Sequence, residues 1–568
     1  MKGVIEKVRA WRQAKPPLLF TVGTAALLVA GGAVAYWGLS QSRSGLPAGI
    51  RLVPQDALMT LSISTQENQW NRLRQLGTPE TQQELDNLLI EWRDRLLTAN
   101  GYRFRPDIKP WLGNQITVVF LPAESAADPS QSQESTQMVA ILPIADAGKA
   151  QALMAEPKGS TRWVGRDYKG VQIQSVKTPT GETLETAVIG KDWLIVGNTG
   201  SGVEQIIDIS SGAASVFDTA GYRQALQRIS DPQAFAHLYV NLPAASQALT
   251  ASPNGLPLSG SEGFAASLSL NASGLQVIGT SWLPADSDRS YAELKNAPSE
   301  MPRRLPAASL LMASGSSLQQ LWQDLSEAPG PLPLLPFRPE NLKAGLQNTT
   351  GLRLEEDLLP WMDGEFAFAL LPPAAATDAR PVDTGQLLLM VQASDREAAE
   401  ATWEKLDEVM ASRYRYTVET TELADQPVTQ WVSPFEGIQM SHGWLEGNVT
   451  YLGVGLGLPE AILPRPQTSL AETSLFQALT AGTPKANTGR FLIDLASINQ
   501  LQGALPIPQL SPGNAVLTTA LQAIGVTTTV NSDRSVSYDI QVKLAKNNRS
   551  TALPEAPSEE AEEDAEAE

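Results

Sequence analysis

Cysteine is absent from all 568 residues, which excludes disulfides, thiol nucleophiles, zinc ribbons and iron–sulfur ligation. Histidine is nearly absent too. His237 and His442 are the only two, leaving little room for histidine-based metal or triad chemistry. Positive charge is scarce: 42 Lys and Arg face 61 Asp and Glu, a net charge of −19. Phosphate backbones are held by clustered bases, so no nucleic-acid partner is expected. No Gly-x-Ser-x-Gly elbow occurs. What is present is ample apolar content, 42% against 18% charged, enough to bury sizeable cores. The length predicts two or more domains.

Long apolar runs are missing except at one place. Residues 16–42 carry no charge, and 17–39 is apolar enough to cross a bilayer as one helix, which needs roughly 20 residues. Tyr36 and Trp37 fall at its end, where amphipathic rings favour the interface. Lys2, Lys7, Arg9, Arg12 and Lys15 precede it against a single Glu6, so residues 1–16 are expected in the cytoplasm and the bulk outside it. Ala33-Val34-Ala35 offers a competing reading as a signal-peptide cleavage site. The stretch is long for that role, and the retained anchor is favoured. At the other end, 546–568 reads as a disordered acidic tail, with eight acids and no base from 555 onward.

Between them the chain repeats itself. Gly101-Tyr-Arg103-Phe-Arg-Pro-Asp107-Ile-Lys-Pro110-Trp111 returns as Gly351-Leu-Arg353-Leu-Glu-Glu-Asp357-Leu-Leu-Pro360-Trp361. Pro54, Trp70 and Leu73 match Pro306, Trp322 and Leu325; Tyr168-Lys-Gly170-Val-Gln matches Phe435-Glu-Gly437-Ile-Gln; Val240-Asn-Leu242 matches Ile493-Asp-Leu495. Chance does not preserve the order of such matches, so a duplication is expected. The halves are 47–284 and 302–545, joined by a linker at 285–301.

Each half reads as α+β: a mainly antiparallel sheet with helices packed on one face, behind the transmembrane helix. Alternation predicts strands at 57–64, 115–121, 138–142, 365–371 and 387–391. A meander is expected over 171–176, 184–189 and 193–196, and a closing hairpin over 263–270 and 275–282. Leu85, Leu88, Leu89, Trp92 and Leu96 mark one face of a helix. Asp146 and Asp395 open two further helices as caps. Polar loops at 123–136 and 373–385 occupy matching places, whereas 329–339, with five prolines, replaces a long helix of the first half. That divergence marks the expected place for different functions.

Each candidate for chemistry has a plainer reading. The glycine clusters Gly197/Gly200/Gly202 and Gly453/Gly455/Gly457 follow strands, but neither has the Lys-Ser/Thr of a P-loop, so both read as turns. His237 shares a strand face with Phe235, Tyr239 and Asn241, and its counterpart is Arg490; His442 has no histidine counterpart. Both read as structural. Asp107 and Asp357 beside Pro-Trp read as turn or cap residues, and Trp111 and Trp361 as core anchors. Glu355, Glu356, Asp357, Asp363 and Glu365 lack the spacing of a calcium loop. No catalytic, cofactor-binding or metal-ligating residue is assigned, and no cofactor is expected.

The anchor, the opening Leu52-Val53-Pro54-Gln55-Asp56-Ala57 and Asp107-x-x-Pro110-Trp111-Leu112-Gly113 resemble an uncharacterised membrane-anchored cyanobacterial family, domain of unknown function 3352. Gly113 is replaced by Asp363 in the second half. The resemblance implies a periplasmic or thylakoid-lumen location and carries over no catalytic residues. The expectation is a single-pass, non-enzymatic interaction or assembly-scaffold protein with a protein partner. The alternative is a module binding an apolar small molecule, lipid or pigment, between helices and a curved sheet. A carboxylate hydrolase ranks third.

Overall fold

A computed structural model describes residues 45–98, 101–122, 137–155, 163–177, 183–249, 260–326, 339–373, 385–434, 439–501 and 519–546. The expected anchor at 17–39, the acidic tail, most of the loops at 123–136, 329–339 and 373–385, and the Phe435-Glu-Gly437-Ile motif lie outside the described residues. Among the described residues no helix is long and apolar enough to cross a membrane. The described residues fall into two compact units, one within Met1–Leu256, Ser261–Ala272 and Lys546–Glu568, the other within Pro257–Gly260 and Ser273–Ala545.

The first unit holds strands β1 (Met59–Ser64), β2 (Gln115–Leu121), β3 (Gln137–Pro143), β4 (Val164–Tyr168), β5 (Val171–Lys177), β6 (Thr183–Ile189), β7 (Trp193–Gly197), β8 (Ala236–Asn241) and β9 (Gly263–Leu270). Their antiparallel pairings give the order β9-β8-β1-β2-β3-β7-β6-β5-β4. Its helices are α1 (Glu67–Leu73), α2 (Pro79–Leu96), α3 (Ala147–Ala155), α4 (Gly200–Ser210), α5 (Ala220–Ile229) and α6 (Leu242–Leu249). Central β1 is buried on both faces, which explains why the expected alternation is blurred there. Strand β4 was not anticipated: Val-Gly-Arg-Asp-Tyr is polar because it is an edge strand with exposed positions. In α2, Leu89 is buried and Thr78 closes a capping box, while the side chains of Trp92 and Leu96 lie outside the described residues.

The second unit holds β10 (Gly274–Trp282), the short β11 (Ala297–Pro298), β12 (Leu311–Gly315), β13 (Phe366–Leu371), β14 (Gln386–Gln392), β15 (Thr417–Leu423), β16 (Gln426–Val432), β17 (Gln439–Leu445), β18 (Val449–Val454), the short β19 (Ala486–Asn487), β20 (Gly489–Asp494), β21 (Leu521–Ser532) and β22 (Ser535–Leu544). The order is β10-β22-β21-β20-β12-β13-β14-β18-β17-β16-β15, all antiparallel, with β11 paired to β19 apart. From β21 to β15 the succession matches that of the first unit from β9 to β4. The second arm of the expected hairpin, β10, belongs here, where it runs against β22. In and beside the stretch expected as a linker, Asn296 exchanges side-chain bonds with the Val530 backbone, and Arg534 donates to the Pro284 and Ser287 carbonyls.

The expected placement of helices on one face is corrected. In the second unit the helices are α7 (Met301–Arg304), α8 (Leu318–Ser326), α9 (Pro339–Thr350), α10 (Arg396–Ser412), α11 (Leu458–Ile462), α12 (Ser474–Leu479) and α13 (Leu495–Gln500). Leu458, Ile462, Phe476 and Leu479 pack with Ala367, Leu388, Met390 and Tyr451 on one sheet face. On the other face, Trp403, Leu406 and Met410 of α10 pack with Trp431, Met440 and Leu452. Alternate strand residues thus serve two cores, and sequences such as Gln-Leu-Leu-Leu-Met-Val-Gln in β14 are apolar on both sides.

Candidate functional site

Helix α10 begins where Asp395 accepts a bond from the Ala398 amide, the expected cap. From there Ala399, Thr402, Trp403, Leu406 and Met410 recur at helical spacing and are buried. This stripe does not fill the space above the sheet. A cavity of about 390 Å³ remains between α9, α10 and strands β14, β16, β17 and β18. Leu346 of α9, Trp403 and Met410 of α10, Leu389 of β14, Trp431 of β16 and Leu452 of β18 define its walls. Its volume lies in the range of small-molecule sites, and its surface is almost wholly apolar.

Polar groups behind the wall are satisfied by one another. Trp403 Nε1 donates to Thr450 Oγ1 (2.9 Å), which donates to the Gly443 carbonyl (3.0 Å). Trp431 Nε1 donates to Asp407 Oδ1 at 2.6 Å, and His442 Nε2 lies 2.9 Å from the same oxygen. A carboxylate accepts only, so His442 carries its proton on Nε2. The imidazole stacks on Trp403 with centroids 4.5 Å apart and planes 7° from parallel. Asp407, His442 and Thr450 therefore hold both indoles in place, each with its N–H spent on the protein. Sequence reading placed this helix by its cap Asp395 but singled out neither its buried stripe nor Asp407. Its polar position beside the stripe was the available signal, and only β16 and β17 bring Trp431 and His442 to it.

The other sequence candidates lie elsewhere. Asp107 Oδ2 accepts the Arg103 amide at 2.7 Å, and Trp111 Nε1 donates to the Asp107 carbonyl at 2.8 Å. Asp357 accepts the Arg353 amide at 2.7 Å, and Trp361 donates to the Asp357 carbonyl at 3.1 Å. Both tryptophans are buried in these turns. The glycine clusters are packed by protein except at Gly457, where a Cβ would meet nothing within 4 Å. A Cβ on Gly197 or Gly202 would sit 2.7 Å from Val203 or 2.9 Å from Val139, and one on Gly455 would sit 2.6 Å from Gln386. Two buried glutamines fasten these turns, a feature sequence reading missed: Gln137 Oε1 accepts from Thr199 and Ser201, and Gln386 donates to the Leu456 carbonyl.

The acids do not converge. Glu355 pairs with Lys343, Glu356 with Arg353, and Glu365 accepts from Ser299 and the Met301 amide. Among the described residues no group of acids or histidines is arranged to hold a metal ion. His237 is buried in β8. Gln115 Oε1 accepts the Ala48 amide, so Gln115 Nε2 donates to His237 Nδ1 at 3.1 Å and the ring proton sits on Nε2. That N–H meets no acceptor among the described residues, and burial pushes the His237 pKa down to about 4.

The chain belongs to the family described as "Protein of unknown function (DUF3352)", whose model matches residues 21–544. No curated protein matches it. Among solved structures, crystal form III of TP0453 is similar at 8% identity and a TM-score of 0.24, covering 42% of this chain and 80% of that one. Crystal form I of TP0453 gives 8% and 0.23, covering 43% and 81%.

Proposed function

We propose that the second unit is a binding module for an apolar small molecule, the alternative reading of the sequence. One observation carries it: a cavity of about 390 Å³ walled by Trp403, Trp431, Leu389, Leu406, Met410 and Leu452 beside a satisfied polar cluster. A space lined by apolar atoms costs stability when empty and gains contacts when filled. The test is mass spectrometry under non-denaturing conditions on gently extracted full chain. The expected result is a retained apolar molecule that is lost when Leu389→Trp fills the cavity. A wild-type chain that retains nothing and binds no added hydrophobic probe counts against the proposal.

The proposal includes two duplicated units, supported by the matching strand orders and the paired Asp–Trp turns. It also includes the anchor at 17–39, with the bulk in an extracytoplasmic compartment, supported by the charge asymmetry of the sequence. Protection of the bulk from protease added on the cytoplasmic side tests that arrangement. A second reading, a docking platform for a protein partner, is favoured by Val164, which stands 63% exposed on the edge strand β4. Affinity purification with Val164→Lys as the control decides it, through loss of a wild-type partner.

A further inference from the structure

The ligand's class follows from where the cavity is polar and where it is not, an inference that rests on the binding-module reading above. At the end of α10 the chain runs Arg413-Tyr414-Arg415-Tyr416 into β15. Tyr414 and Tyr416 line the cavity, while Arg413 and Arg415 are exposed between and beside them. Arg415 holds φ +58, in the left-handed region, which turns the chain at this point. Tyr414 Oη and Arg413 both donate to the Thr349 carbonyl, at 3.0 and 3.2 Å, tying this rim to the C-terminal end of α9. Neither arginine has an acidic partner among the described residues, in a chain of net charge −19. Farther along the wall, Trp403, Trp431 and Thr450 spend their polar atoms on the protein.

We infer that the cavity takes a single-chain amphiphile, its apolar tail between α10 and the sheet and its anionic headgroup, a carboxylate or a phosphate monoester, at Arg413 and Arg415. The volume is at the small end for ligand sites, which favours one chain over the pair of a diacyl lipid. Guanidinium forks suit both headgroups.

The experiment uses the full chain in nanodiscs of zwitterionic lipid and follows energy transfer from tryptophan to cis-parinaric acid, with its methyl ester as the uncharged probe. The acid is expected to bind about tenfold more tightly than the ester, the size of one charge-assisted contact. Arg413→Gln/Arg415→Gln brings the acid down to the ester. Arg415→Asn alone keeps the Arg413 bond to α9 and gives an intermediate loss, which separates a charge effect from a folding defect. Displacement by lysophosphatidic acid more readily than by oleate identifies the phosphate source, and the reverse identifies the carboxylate. Equal binding of acid and ester, or no effect of the arginine variants, overturns the headgroup inference while the cavity reading stands. Binding of neither probe overturns both.

Discussion

Strand β2 of the first unit and strand β13 of the second occupy the same place in their sheets and follow the same Asp–Trp turn. On one face β2 presents Ile116, Val118 and Phe120, all buried, with Val118 only 3% exposed. On the matching face of β13, Phe366 and Leu370 are buried but Phe368 is 38% exposed, and its cross-strand partner Leu389 lines the cavity. The opposite faces differ in another way. Where the first unit places buried His237 between Ser62 and Ser267, the second places Arg490 between Ser314 and Thr527. The frames agree while their fillings do not. A backbone pattern tolerates exchange of side chains of one character, so a buried strand face in one unit and a partly exposed one beside the cavity in the other are compatible with one plan.

The largest effect comes from removing what the units share. Trp111→Ala and Trp361→Ala each delete a fully packed indole and are expected to cost about 3–5 kcal/mol. Chemical denaturation checks whether the two costs agree. A cost below about 1 kcal/mol for either breaks the comparison at the turn.

The next effect separates the units by pH. His237 has a folded pKa near 4, below the unfolded 6.5. Its contribution is therefore fully present above pH 6.5 and is lost as pH falls towards 4, worth about 3 kcal/mol in all. The urea midpoint of the first unit is expected to drop across that window, and His237→Gln is expected to flatten the slope. Arg490 stays charged throughout, so the second unit has no matching step from this position. An unchanged slope in the variant removes His237 as its source.

The smallest effect tests a shared detail. Ser215 and Ser469 each close a capping box, with Asp218 and Glu472, whose carboxyls are held below their usual pKa by the serine amide and hydroxyl. Ser215→Ala and Ser469→Ala are each expected to cost about 1 kcal/mol. Unequal thermal shifts would show that the boxes bear different loads.

Much of the frame was legible in the sequence, because strand and helix periods are local. Gln115–Leu121, Asp395 as a cap and the meander after Val171 were readable within a residue or two. Edge strand β4 was missed because an exposed edge has no apolar face to announce it. The residues of the cavity were not singled out in the sequence, because its walls come from α9, α10 and four strands spread over 346–452.

By itself, the sequence determined the chemical exclusions, the periods of the elements and the ordered repeats that make two like units expected. Only tertiary structure decided that helices cover both sheet faces, that Asp407 joins Trp431 to His442, and that space remains beside Trp403. The physical reason is range. Propensity and alternation act between neighbours in the chain, whereas burial, cavity and hydrogen-bond partnership depend on residues tens of positions apart that the sheet brings into register.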